Sequence, residues 1–282
     1  MMKLKTYSSP GAFLDKVQRF LEEKEALNNL PLGIIESLVK KEKSGEDFGN
    51  PFLAAIEQNS EVIFVVVRTP PHNAVVYGDP SAIFYLVQSL RQENILLPGV
   101  LGPKETAESF ASRWCELTGQ TRKISMDQRI YKLTNIIEGK KPNGNLREAT
   151  QEDFDLIAKW IYQFAEEATE GLTEEECKER AKRAIDEKSI YVWVSEGKVV
   201  SMANKARPTR NGATVNLVYT PEALRNKGYA SACVTGLSQH LFDQGYKFCT
   251  LYTDLTNPTS NSIYMKIGYR PVGDSIVYEF TS

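Results

Sequence analysis

The run VNLVYTPEALRNKGYAS, Val215 to Ser231, constrains this chain more than any other stretch. Val215, Leu217, Val218 and Tyr219 are β-branched, aliphatic or aromatic, which predicts a strand, and Pro221 ends its ladder because proline has no N–H to donate. A helix from about Gly228 to Gln244 follows, with Ala230, Val234, Leu237 and Leu241 recurring at helical spacing to form one buried stripe. Gly245 is placed to end it. Arg225-Asn226-Lys227-Gly228-Tyr229-Ala230-Ser231 therefore lies at a helix N-terminus, where successive N–H groups lack intrahelical partners and sit at the positive end of the helix dipole. Such a nest attracts anions, and Gly228, free to take a positive φ, lets a ligand approach the backbone. Arg225 and Lys227 add positive charge beside it. These residues suit a pyrophosphate; by themselves they also fit a plain strand-turn-helix with surface cations.

Other nucleotide cradles fit worse. The sequence has no Gly-x-x-x-x-Gly-Lys-Ser/Thr run and no Gly-x-Gly-x-x-Gly between a first strand and a helix. The segment instead resembles the phosphate loop of the GNAT acyltransferases, Arg/Gln-x-x-Gly-x-Gly/Ala after a strand, with Arg225, Gly228 and Ala230 at the fixed positions. A second stretch, Asn257 to Tyr269, is similar to the family's Asn-x-x-Ala-x-x-Leu-Tyr-x-x-x-Gly-Phe, departing from it at Ser260, Ile263 and Tyr269. The two motifs occur in the right order, with one helix and one strand between them, and the resemblance covers about Leu146 to Phe280.

That resemblance implies a fold and a chemistry. The fold is α/β of the α+β kind, a mixed, largely antiparallel central sheet flanked by helices. Acetyl-CoA, or another acyl-CoA, is the implied co-substrate, its pyrophosphate held by Arg225, Asn226, Lys227, Gly228, Tyr229, Ala230 and Ser231. The backbone of Leu217, Val218, Tyr219 and Thr220 would hold the pantetheine arm and polarise the thioester carbonyl. Asn257 and Ser260 are placed with the cofactor by the same motif, although Asn257 before Pro258 is also a good N-cap. Tyr264 matches the family tyrosine that protonates the departing thiolate, a task suited to a phenol because it stays protonated at neutral pH. The alternative for Tyr264 is an ordinary core position on an amphipathic helix.

An alkyl amine, with a pKa near ~10, must lose a proton before or during attack, so a base is needed. The strand position where some family members carry Glu falls near Thr214, which is no base. Asp254, Glu222 or a water held by Asn216 are the remaining options, and the sequence does not choose among them.

Composition narrows the setting. A net charge of −2, with Lys and Arg interspersed among Asp and Glu, argues against nucleic acid as a partner. No apolar run reaches the ~20 residues of a membrane span or forms a signal peptide, so a cytoplasmic protein is expected. Four scattered cysteines and only His72 and His240 argue for reduced, packed thiols and against a metal site. His240 lies too far along its helix from the phosphate loop to be a catalytic candidate.

At 282 residues the chain has room for two domains. Before the polar, breaker-rich stretch Glu138 to Asn145, the pattern gives a Ser9-Pro10 helix start with Phe13, Val17 and Leu21 inward, a second helix around Leu32 to Val39, and strands at 51–57, 61–68 and 73–77. A helix with Ile83, Phe84, Val87 and Leu90 on its buried side, a strand at 97–101, a helix through Trp114 ended by Gly119, and a strand at 129–136 complete it. The second half repeats this order, opening with the capping pairs Thr150/Asp153 and Thr173/Glu176 and a hairpin across Glu196-Gly197. Residues 1–137 are thus expected to be a degenerate GNAT-like domain, 138–145 a linker, and 146–282 the active domain. Where a phosphate loop would stand, the first half has Gly78-Asp79-Pro80-Ser81, whose carboxylate repels pyrophosphate. An unrelated α/β domain is the alternative for this half.

The reading that follows is an N-acyltransferase acting on a primary amine of a small molecule or amino-acid derivative. Its rival is a non-catalytic acyl-CoA-binding or partner-binding module on the same fold. Nothing in the sequence indicates the oligomeric state.

Overall fold

The structure, a computed structural model, describes residues 1–168, 171–255 and 258–281, in two compact units. The first comprises β1 (Met2–Tyr7), α1 (Pro10–Glu22), α2 (Asn29–Ser44), β2 (Phe52–Gln58), β3 (Glu61–Arg68), β4 (Ala74–Gly78), α3 (Ile83–Gln92), β5 (Gly99–Pro103), α4 (Lys104–Thr118) and most of β6 (Thr121–Leu133). The second runs from Lys132 through β7 (Asn145–Glu148), α5 (Phe154–Glu167), α6 (Glu174–Asp186), β8 (Ile190–Ser195), β9 (Lys198–Ala206), β10 (Gly212–Tyr219), α7 (Tyr229–Asp243) and β11 (Phe248–Asp254) as far as Leu251, and includes α8 (Pro258–Ile267). The last strand, β12 (Arg270–Thr281), belongs from Pro271 to the first unit, as does the end of β11 from Tyr252.

Each unit is built on the same plan. In the first, β1, β2, β3 and β4 pair antiparallel in order, and β4 then pairs parallel with β5. In the second, β7, β8, β9 and β10 pair antiparallel and β10 pairs parallel with β11. Two helices precede the second strand of each set, and one helix crosses between its fourth and fifth strands. A parallel neighbour cannot be reached by a hairpin, so α3 and α7 are the crossovers that the topology requires.

The apolar runs explain the layering. Val65-Val66-Val67 is buried throughout because both faces of its strand are covered. Ala54, Ile56, Phe64, Val66 and Val76 point into a core with Leu86, Leu90, Phe110 and Trp114, while Leu53, Ala55, Val65, Val67 and Val75 pack on Phe13, Val17, Leu21 and Ile35. In the second unit Ile157, Ile161, Ala181 and Ile185 of α5 and α6 pack on Ile190, Val192, Met202 and Tyr219.

Several expectations are corrected. A contiguous active domain at 146–282 does not match the division seen, because β12 pairs antiparallel with β5, from Ser275 opposite Pro103 to Glu279 opposite Gly99. Its Ile276, Tyr278 and Phe280 enter the first unit's core, where Phe280 stacks on Trp114 with ring centroids 5.9 Å apart. The stretch expected as a linker lies within the second unit. Strands β1 and β7 were not expected: their alternating Lys, Arg and Glu give them a polar half that reads as coil. The strand expected at 129–136 begins at Thr121 and ends at Leu133. Phe84, expected inward, is 49% exposed and lies against the guanidinium of Arg113, 4.4 Å from the ring centroid, while Ile83, Leu86, Val87 and Leu90 form the buried side.

Both expected caps form. Thr173 and Glu176 make a reciprocal capping box, and Asp153 accepts the Thr150 N–H at 2.8 Å. Asp153 also takes a bidentate pair from Arg147 at 2.6 and 2.9 Å, and that guanidinium holds its carboxyl below the usual range against the opposing effect of burial. A depressed folded pKa gives stability that is present above the unfolded value and lost as pH falls through the folded one. Asp153→Asn should therefore cost on the order of 2 kcal/mol at neutral pH, with the difference from wild type narrowing as pH falls below the ordinary carboxylate range; paired denaturant titrations at neutral and acid pH check this. Phe280→Ala should cost about 3–4 kcal/mol, with Trp114 reporting the loss by fluorescence, an outcome that a contiguous C-terminal domain would not give.

Candidate active site

The site begins with an interruption in β10. Asn216 pairs with Asn204 of β9, so regular pairing would set Val218 opposite Met202; Tyr219 stands there instead. One extra residue is thus accommodated in β10, and Leu217 takes it up with φ +47, a left-handed conformation unusual for a non-glycine residue. The bulge turns Tyr219 into the core, where its ring lies 6.0 Å from that of Trp160. On its parallel side β10 pairs with β11 only at Gly212, Ala213 and Thr214, opposite Phe248, Cys249 and Thr250. Beyond Thr214, Leu217 and Val218 sit partly exposed, outside that parallel ladder.

The far side of the bulge is pinned by a fully buried serine. Ser201 of β9 donates to the Tyr219 carbonyl at 3.1 Å and accepts the Thr220 hydroxyl at 2.9 Å. A single helical turn at Glu222–Leu224 leads to Arg225, and Asn226 and Gly228 both adopt left-handed backbone, with φ +63 and +81. Helix α7 then starts with no side-chain cap, unlike α1 and α6, and with no acidic residue in its first turn, unlike α6. The amides from Asn226 to Ser231 meet no acceptor among the described residues. That row of unsatisfied donors at a helix N-terminus fits a pyrophosphate.

Side chains around the nest divide into free and committed groups. Lys227 is exposed and makes no ion pair among the described residues. Arg225 is committed: its Nε donates to the Thr220 carbonyl at 2.9 Å, one terminal nitrogen bridges both Glu167 oxygens, at 2.5 and 2.8 Å, and its N–H donates to the Glu222 carbonyl. Sequence reasoning gave Arg225 a phosphate; the structure gives it a bracing role between the bulge and the end of α5. Tyr229, Ala230 and Ser231 form the first turn of α7, partly exposed.

Tyr264 lies on α8 with its ring edge-on to Tyr269, centroids 6.1 Å apart. The residue keeps some exposed surface, and burial pushes its phenol up to about 12, with the Cys233 thiol of α7 adding to the shift. Its hydroxyl makes no hydrogen bond among the described residues. The Tyr264 hydroxyl is therefore protonated at neutral pH, whereas the Tyr269 hydroxyl is spent on Ser238 at 3.0 Å. Cys233 and Cys249 are buried thiols also pushed up to about 12, and none of the four cysteines is joined in a disulfide. Asn257 lies outside the described residues; Ser260 falls within α8.

The candidate bases fare differently. Thr214 is buried with its hydroxyl 2.9 Å from that of Thr250, and Asn216 accepts from Asn204 at 2.9 Å. Glu222 is exposed in the turn, and Asp254 is exposed at the end of β11. His240 is hydrogen-bonded to Tyr191 at 3.1 Å, late in α7. No group of acidic, His or Cys residues among those described could hold a metal ion.

The equivalent place in the first unit is closed. Asp79 caps the turn after β4 by accepting the Ser81 N–H at 2.8 Å, which holds its carboxyl below the usual range. A Cβ at Gly102 of β5 would lie 2.3 Å from the Val76 carbonyl, so β4 and β5 stay in close contact one position beyond their last registered pair, Val75 opposite Leu101. Sequence reasoning missed Ser201 and Glu167. Ser201 carried a signal, a small polar residue within an apolar strand; Glu167, in a run of carboxylates, carried none. Ser201→Ala leaves the Thr220 hydroxyl without its acceptor, and we expect a loss of about 1–3 kcal/mol in denaturant titration; an unchanged midpoint would deny the pinning role.

Residues 155–269 match the model of the acetyltransferase (GNAT) family. No curated protein is significantly similar to the chain. Among solved structures, it is similar to a GNAT-family acetyltransferase from Colwellia psychrerythraea, at 16% identity and TM-score 0.60, covering 99% of this chain and 100% of that one. A GCN5-related N-acetyltransferase from Sphaerobacter thermophilus gives 14% identity and TM-score 0.63, covering 98% and 94%. A tandem GNAT protein from the clavulanic acid biosynthesis pathway gives 10% and 0.59, covering 100% and 98%. At these identities the likeness is one of fold, and it extends over both halves of the chain.

Proposed function

We propose, on the match of residues 155–269 to the model of the acetyltransferase (GNAT) family, that this protein is an acyl-CoA-dependent N-acyltransferase with one cofactor site, in its second unit. The observation that carries the reading is the row of unpartnered amides from Asn226 to Ser231 beside a strand opened by its own bulge. Acetyl-CoA is the favoured donor, and the acceptor is a primary amine of a small molecule or amino-acid derivative. The nest takes the pyrophosphate, and the free edge at Leu217 to Thr220 takes the pantetheine arm and offers N–H groups to the thioester oxygen. The amine nitrogen bonds to the acyl carbon as the carbon–sulfur bond breaks; its proton leaves through water, and the thiolate takes the Tyr264 proton, restored afterwards from solvent. The reading places the protein in the cytoplasm, and among the described residues no helix is long and apolar enough to cross a membrane.

The absence of a titratable group at Thr214 and Asn216 favours a second reading, a module that binds acyl-CoA without turnover. Tyr264 separates the two. Tyr264→Phe should lower kcat by about 10²–10⁴-fold while leaving the acetyl-CoA Kd within about twofold. Equal turnover in the variant would remove Tyr264 from the chemistry, and no wild-type turnover across a broad amine panel would favour the binding module.

Calorimetry tests the cofactor site itself. Acetyl-CoA should bind the whole chain at one equivalent, and Gly228→Asp should abolish binding by placing a carboxylate at the nest. Two equivalents would restore a site to the first unit.

A further inference from the structure

We propose that the stretch between the two sequence halves, residues 138–145, is a wall of the cofactor site, and that Lys140 and Lys141 contact the 3′-phosphate of the CoA nucleotide. The proposal rests on the acyl-CoA reading above.

The path of this stretch is fixed at both ends. Ile137 N–H donates to the Ile267 carbonyl at 2.8 Å, at the end of α8. At the other end the Gly144 backbone presses on β8: a Cβ there would lie 2.3 Å from the Val194 carbonyl and 2.5 Å from Trp193 Nε1. Its φ of +143 also disfavours a side chain. Between these anchors the chain crosses α7, where Glu138 and Lys141 line a cavity of about 260 Å³ with Thr235, Gln239 and Phe242. It then passes the nest, with Pro142 Cδ 3.6 Å from where a Gly228 Cβ would stand. Proline at the point of contact fixes its own φ and offers no N–H to compete with the nest.

Charge gives this path a consequence. Consecutive Cα atoms are about 3.8 Å apart, so Lys141 and Lys140 follow within one and two steps of the residue that touches the nest. Both are exposed and make no ion pair among the described residues. Of the other charges at this mouth, Arg225 is held by Glu167, Lys227 is free, and Glu138 is the one carboxylate on the cavity wall. Backbone amides can satisfy a pyrophosphate; the 3′-phosphate of CoA is a separate dianion on the ribose and would need donors of its own, which these two lysines can offer.

The test is calorimetric titration of CoA and 3′-dephospho-CoA into the full chain and into Lys140→Ala/Lys141→Ala. Wild type should bind CoA about tenfold more tightly than dephospho-CoA, as one charge-assisted contact allows. The double variant should bind CoA as weakly as dephospho-CoA, leave dephospho-CoA within about twofold of wild type, and show a shallower dependence on salt. A variant that keeps the wild-type ratio overturns the proposal and leaves the acyl-CoA reading standing, as does a wild type that binds both ligands equally. Tighter CoA binding by the variant would mean that the segment obstructs the site. Wild type binding neither ligand removes both readings together.

Discussion

The structure depends on one irregular residue. Leu217 adopts a left-handed backbone in the middle of a strand, a conformation that costs on the order of 1–3 kcal/mol for a residue with a side chain and persists only when neighbours enforce it. The enforcement is visible on both sides. Asn216 keeps its registered partner Asn204, Tyr219 is drawn into the core beside Trp160, and Ser201 holds the next carbonyl and hydroxyl. With both flanks fixed one residue too close together, the extra residue bulges, and β10 leaves the parallel ladder after Thr214. The opening between β10 and β11 is therefore a by-product of core packing.

The first unit shows the same plan without that device. Its fourth and fifth strands stay in contact through Gly102 and the Val76 carbonyl, and its crossover turn is capped internally by Asp79. The Ser81 and Ala82 N–H groups of that turn are taken by the Asp79 carboxylate and carbonyl. The unit contributes a well-filled core and receives the chain's last strand in return, so the stability of residues 1–131 is tied to residues 271–282.

Much of the site was legible because it depends on local chemistry. A glycine where φ must be positive, an apolar period of three to four residues and a proline that ends a strand predicted the nest and α7 to within one residue at either end. Tyr264 was legible by its spacing, but its raised, unpaired phenol was not, since burial beside Cys233 is a property of packed helices. Arg225 shows the limit from the other side. Its position in the motif was clear, yet the partner that occupies its guanidinium, Glu167, lies 58 positions earlier in a run of carboxylates with nothing to single it out.

The sequence by itself determined most of the strands and helices, though not β1 and β7, as well as where the uncapped start of α7 stands and that the two halves repeat one order of elements; these follow from side-chain periodicity and backbone freedom, which act over a few residues. Only the tertiary structure decided which half receives the last strand, where Phe84 points, how the bulge opens β10, and that residues 138–145 run past Gly228. Those outcomes depend on which surfaces meet across long stretches of chain, and a strand or loop carries no local mark of its distant neighbour.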